Sequence, residues 1–263
     1  MTRPTTIQTA PPEPTLADLY EAVQRDPQDL DALEQLAERL AEAGDHEAVV
    51  SVYRAIIATA GADSPRGRTA RFNLAVALLR LQQLVEAEDE LLRLLSADPT
   101  DARARFNLAA IYRSQGRLTD AKAHLQAVTA QGNALPDAQL GAAYGLLGKV
   151  LGDLRDSSGA LAAHAKAVRL RPRATDAWLA YAGAARTAGR YGTALMALEQ
   201  ARGLTPGRAD ILARIGTALL VMHEATGAPD LRPKALEALR QSLAIDPDQP
   251  DLQALLDEHA EGE

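Results

Sequence analysis

From Thr15 onward, apolar residues recur three and four positions apart through stretches of about 12–15 residues, each closed by a short segment marked by Gly or Pro. Spacings of three and four put side chains on one face of an α-helix, whereas a strand alternates every second residue. The pattern therefore predicts a series of amphipathic helices with almost no strand. Prolines that end such stretches stand at 27, 99, 172, 206 and 247. Their separations are one or two units of 34 residues, with nothing over from 172 to 206 and 4, 5 or 7 residues over in the others. A Pro just past a helix end cannot continue the helix and fixes the exit of the chain.

The same period appears in identities. Arg71-Phe72-Asn73-Leu74-Ala75 returns as Arg105-Phe106-Asn107-Leu108-Ala109, 34 residues later. Ala87, Ala121, Ala160, Ala194 and Ala235 each fall twelve residues before the next Pro or its equivalent. Only a methyl group or less fits where two helices cross closely. Gly44, Gly116 and Gly189 lie five residues before that small position or its counterpart, where a turn between two helices is expected.

These residues resemble the tetratricopeptide repeat (TPR) family, whose pattern is W-x2-L-G-x2-Y, then A-x3-F, then P. The unit Trp178, Tyr181-Ala182, Gly189, Tyr191, Ala194, Ala201, Pro206 follows it closely. Tyr144, Leu147-Gly148, Ala160, Ala167, Pro172 follows nearly as well, as do Leu212, Ile215-Gly216, Ala235 and Pro247. Leu108-Ala109 with Tyr112, Gly116 and Ala121 also fits, as does Leu74-Ala75 with Ala87 and Pro99. Leu36-Ala37, Gly44, Val49 and Tyr53 form the weakest unit. The resemblance spans residues 15–263 and implies an all-α fold, a right-handed α-solenoid of about six helix-turn-helix units forming one superhelical domain. An orphan helix from about Thr15 to Arg25 would precede the units, and a capping helix from about Pro250 to His259 would close them. Residues 1–14 hold four prolines and read as a disordered tail. Extra residues near GADSPRGR, AQGNALPD and HEATGAPDLRPK are expected in loops.

Composition adds three exclusions. Aromatics make up only 3% of the 263 residues, so the core is one of Ala and Leu. There is no Cys, hence no disulfide, thiolate metal site or Cys nucleophile. Neither a signal peptide nor a membrane span is legible, which points to a cytoplasmic protein with no membrane partner. Motifs for catalysis also fail. His223-Glu224 lacks the second His of a zinc protease, Gly148-Lys149 lacks the first Gly of a phosphate loop, and the five His have no metal-ligand spacing. The chain is accordingly read as a non-enzyme without cofactor or metal. The run GAAYGLLGKVLG, with glycines at 141, 145, 148 and 152, reads as a thin helix that allows close approach of a neighbour or ligand.

Net charge is −7 but unevenly placed. Segments 1–60 and 207–263 carry −7 and −6, whereas 61–135 and 136–206 carry +2 and +4. In the TPR arrangement the first helix of each unit lines a concave groove, and the resemblance implies that Asn73 and Asn107 face it together. An amide offers both a donor and an acceptor, as the backbone of an extended peptide requires. Phe72 and Phe106 turn partly into the same groove, and Arg80, Arg103 and Arg113 stand beside the amides to receive carboxylates. The first unit presents Asp31, Glu34, Glu38 and Glu42 instead, and later units a mixture of Asp176 with Arg186 and Asp210 with Arg214. A protein or peptide partner with an acidic segment beside a basic one would match that order. Acidic residues stand where the chaperone-tail clamp of some TPR domains needs Lys and Asn, which argues against that partner. The expected function is a protein-interaction scaffold that binds an extended segment. The alternative, nucleic-acid binding by the Arg-rich middle, is disfavoured by the sparse aromatics and a pI near 5.3. Oligomeric state is not legible.

Overall fold

The computed structural model describes residues 14–260; the Pro-rich tail, Pro14 apart, lies outside them. Fourteen α-helices and one short 3-10 turn (Gly132–Ala134) account for the regular structure among the described residues. The described residues form two compact units, divided after Leu108.

In the first unit, α1 (Leu16–Arg25) rests on α2 (Leu30–Glu42), α2 on α3 (His46–Ala60), α3 on α4 (Pro65–Arg80), and α4 on α5 (Leu84–Ala97). Side-chain caps start these helices. Thr15 and Asp18 form a reciprocal capping box on α1, and Asp29, Asp45 and Ser64 accept backbone N–H bonds at the starts of α2, α3 and α4. Leu33, Ala37, Ile56 and Ala70 form a core cluster, with Val23, Leu30 and Val52 packed against it.

In the second unit, each helix from α7 to α14 rests on the next: α7 (Leu118–Ala130), α8 (Asp137–Asp153), α9 (Ser157–Leu170), α10 (Thr175–Thr187), α11 (Tyr191–Leu204), α12 (Ala209–Thr226), α13 (Leu231–Ile245) and α14 (Pro250–Ala260). Helix α6 (Ala102–Ser114) contributes residues to both units. The core here packs Ala against Leu and Ile: Ala197, Ala201, Ile211, Ala235 and Leu239 are fully buried. Trp178 and Tyr181 lean on that cluster, and the Trp178 indole donates to the Pro172 carbonyl at 2.9 Å. Ser242 has no exposed surface and donates to the Ala209 carbonyl at 2.8 Å, tying α13 to the start of α12. At the end of the chain, the guanidinium of Arg232 donates to the His259 carbonyl, joining α13 to α14.

The repeat period is realised as read. Pro27, Pro99, Pro172, Pro206 and Pro247 each stand two residues past the end of a helix. The five repeat alanines are at most 4% exposed. Gly44, Gly116 and Gly189 take positive φ of 78°, 76° and 68° in the turns within pairs. In two pairs the same turn is made by Gln82 and Arg155, at φ of 59° and 62°, without glycine to relieve the strain.

One expectation needs correction. The extra residues were expected in loops, but most lengthen helices. The first helices of the pairs run 13 residues in α2, α6 and α10, but 16 in α4, 17 in α8 and 18 in α12. Pro65 opens α4 at a first-turn position where its missing N–H costs nothing, with Ser64 as cap. At the other end of α12, the good helix formers before Thr226 continue the helix until Gly227 takes a left-handed cap.

The glycines of α8 divide in two. A Cβ on Gly148 would lie 2.6–2.8 Å from the ring of His164, and one on Gly141 2.7 Å from the Arg171 side chain. Gly145 and Gly152 have nothing within 4 Å. Close approach therefore accounts for two of the four, and for Gly216, whose missing Cβ leaves room for Leu239.

Candidate partner-binding cleft

Helices α2, α3 and α4 enclose an open cleft of about 770 Å³ in the first unit. One wall is α2, where Glu34, Glu38 and Glu42 recur every four residues and so share a face. Tyr53 and Ile56 of α3 lie at the back, and Arg66, Thr69, Ala70 and Asn73 of α4 form the opposite wall. The acidic strip read from sequence is thus assembled against Thr69 and Asn73.

The charges are only partly compensated. Arg66 binds Asp31 at 2.7 Å and reaches Glu34 at 3.6 Å, while Arg39 holds Glu42 at 3.2 Å. Glu38 has no cationic partner among the described residues. Burial pushes the Tyr53 phenol above its ordinary range; a hydrogen bond with Asn73 pulls the other way, and the charges of Glu38 and Glu34 add to the rise. Tyr53 therefore stays a neutral hydroxyl, and Asn73 is linked to it across the cleft.

Of the amides, aromatic rings and arginines expected to contact the partner, only Asn73 lines this cleft. Asn107 is half-buried, and its amide donates to the Arg103 carbonyl one turn back on α6, at 3.1 Å. That bond uses one N–H and leaves the amide oxygen for other partners. Phe72 and Phe106 are half-buried; the Arg103 guanidinium stacks 4.6 Å from the Phe72 ring centre and lies 3.4 Å from Asp101. Arg80 is exposed in the last turn of α4. In the second unit, Arg113 is bound to Asp153 at 2.6 Å. The guanidinium groups expected to wait for a partner's carboxylates are therefore engaged at Arg103 and Arg113.

Tyr53 was not anticipated as part of the site, although the sequence carried a signal. Leu91, Leu125, Leu198 and Leu239 occupy its place in other repeats, four residues after the small position, so a Tyr there is an exception.

Paired helices of about 34 residues, closed by small residues at their crossings, define a helical-repeat protein. The chain belongs to the tetratricopeptide repeat family: the repeat matches residues 36–102 and 146–209 in one form and residues 90–123 in another, together more than half of the chain. No curated protein sequence matches it significantly. Among solved structures, PilF of Pseudomonas aeruginosa aligns at 20% identity and TM-score 0.69, over 89% of this chain and 99% of that one. MamA of Desulfovibrio magneticus RS-1 aligns at 18% identity and TM-score 0.57, over 66% of this chain and 94% of that one. YrrB, described as a TPR protein with an unusual peptide-binding site, aligns at 19% identity and TM-score 0.51, over 95% and 100%. The fold class is accordingly all-α, of the TPR solenoid kind. No helix among the described residues is long and apolar enough to cross a membrane.

Proposed function

We propose that the chain is a cytoplasmic, non-catalytic scaffold that holds an extended segment of a protein partner, with the α2–α3–α4 cleft as its contact surface. The observation that carries this reading is the cleft itself, in which Asn73 stands opposite a strip of carboxylates. An amide can follow the partner's backbone, and Glu38 suits a basic side chain of the same segment. The peptide-binding site named for YrrB supports a groove role by analogy of fold alone.

The pairing of arginines favours protein over nucleic acid as the partner. Arg71, Arg113 and Arg117 each face a carboxylate, at 3.1, 2.6 and 3.0 Å, so the basic middle offers phosphates fewer free charges than its composition implies. The test is affinity purification with mass spectrometry, comparing wild type with Asn73→Ala/Asn107→Ala. Partner recovery should fall while helicity by circular dichroism stays unchanged. Equal recovery of the same partners by the double variant refutes the reading.

A further inference from the structure

Helices α10, α11 and α12 of the second unit enclose a second cleft, of about 390 Å³. It occupies the same place between repeats as the first: a leading helix, its partner, and the leading helix of the next pair. Its chemistry is opposite. Arg186 and Arg214 are its charged lining residues, and no carboxylate lines it.

The sequence had paired Asp176 with Arg186 and Asp210 with Arg214 as a mixed strip, but both acids are taken elsewhere. Arg171 binds Asp176 at 3.3 Å. Arg208 grips Asp210 with two bonds of 2.9 and 2.8 Å, which together with the field of Arg214 hold that carboxyl below its usual range. Arg186 and Arg214 are exposed and make no ion pair or side-chain hydrogen bond among the described residues. Between them lie Ala182, Gly183, Ala213 and Ala218, small enough for a bound chain to come close. Thr217 spends its hydroxyl on the Ala213 carbonyl of its own helix, at 2.9 Å, whereas the Tyr191 hydroxyl makes no hydrogen bond among the described residues.

Repeat register makes the placement pointed. Arg214 immediately precedes Ile215-Gly216, as Asn73 precedes Leu74-Ala75 and Asn107 precedes Leu108-Ala109. One position of the repeat thus carries an amide in two units and a guanidinium here.

We propose that this cleft is an anion-selective subsite that takes the carboxylate side chains of an acidic peptide segment, held by Arg186 and Arg214 with Tyr191 as a neutral donor. Guanidinium groups bind carboxylates through paired, charge-assisted hydrogen bonds. The proposal rests on the chain being a peptide-binding scaffold but not on the Asn73 cleft.

Fluorescence anisotropy on the full chain tests it, using a labelled short peptide of Asp and Glu alternating with Ala and Gly. The control is the same peptide with Asn and Gln in place of the acids. The acidic peptide should bind about tenfold tighter or more. Arg186→Gln/Arg214→Gln should abolish the preference while leaving helicity intact, since both residues are exposed. Asn73→Ala/Asn107→Ala should leave it intact, which separates failure here from failure of the other cleft. Equal binding of the two peptides, an unchanged preference in the Arg double variant, or tighter binding of a single-stranded oligonucleotide of equal charge would each overturn the proposal.

Discussion

His164 offers a direct test of how a buried imidazole governs stability in this repeat. It is 5% exposed, its Nδ1 is buried without a hydrogen-bond partner, and its ring lies against Gly148. Burial, with the charge of Lys149 second, lowers its pKa from 6.5 to about 4. Leu91, Leu125, Leu198 and Leu239 hold the same place in other repeats, at 0–3% exposure. The substitution His164→Leu therefore restores a residue this architecture already accommodates, and Leu239 shows it fitting against a glycine, Gly216.

The folded chain resists protonating His164, whereas the unfolded chain does so near pH 6.5. Stability from this group is thus undiminished above about pH 6.5, drains as pH falls toward about 4, and levels off below. With about 1.4 kcal/mol per pKa unit, the loss reaches about 2.5 kcal/mol by a pH of about 4.5. Leaving neutral Nδ1 unpaired adds about 1–3 kcal/mol at any pH. His164→Leu should be the more stable protein at neutral pH, with an advantage that grows by about 2–3 kcal/mol on acidification. Urea unfolding followed by circular dichroism, at several pH values from neutral to about 4.5, measures both curves. All other titrating groups are common to the two proteins, so their difference isolates His164. Parallel curves across that range would refute the reasoning.

Four further substitutions test the backbone arguments. In α8, Gly145→Ala should raise stability by about 0.5–1 kcal/mol because its Cβ meets open space, while Gly148→Ala should lower it by about 1–3 kcal/mol through collision with His164. Opposite signs in urea unfolding are expected, and equal signs would contradict the packing described. At the turns, Gln82→Gly and Arg155→Gly should each gain about 0.5–1 kcal/mol by relieving positive φ, despite the added freedom of the unfolded chain. Thermal melts that show a loss in both would mean that the side chains there contribute more than the strain they impose.

The repeat was legible because its signals are local and recur: prolines just past helix ends, alanines at helix crossings, and an identical pentapeptide in successive units. Helix lengths were less so. Pro65 reads equally well as a loop residue or as the first residue of a helix, and Ser64 decides between them only once its side chain caps α4. Turns at Gln82 and Arg155 were silent because nothing in those residue types announces a left-handed backbone. Of the candidate site, the acidic face of α2 followed from helical periodicity, and the expectation for Asn73 came from the family resemblance. The pairing state of the arginines did not, because Arg113 meets Asp153 from a helix 40 positions away, and Arg208 takes Asp210 from the residue that such a reading would choose. Charge counts along one helix cannot see those neighbours.

Trp178 is the chain's single tryptophan, and its indole is fixed to the Pro172 carbonyl beside the core of the second unit. Its emission is therefore a built-in local reporter of α10. A ligand settling near Arg186 should alter that signal. Binding at the α10–α12 cleft can thus be followed through this residue without modifying the protein.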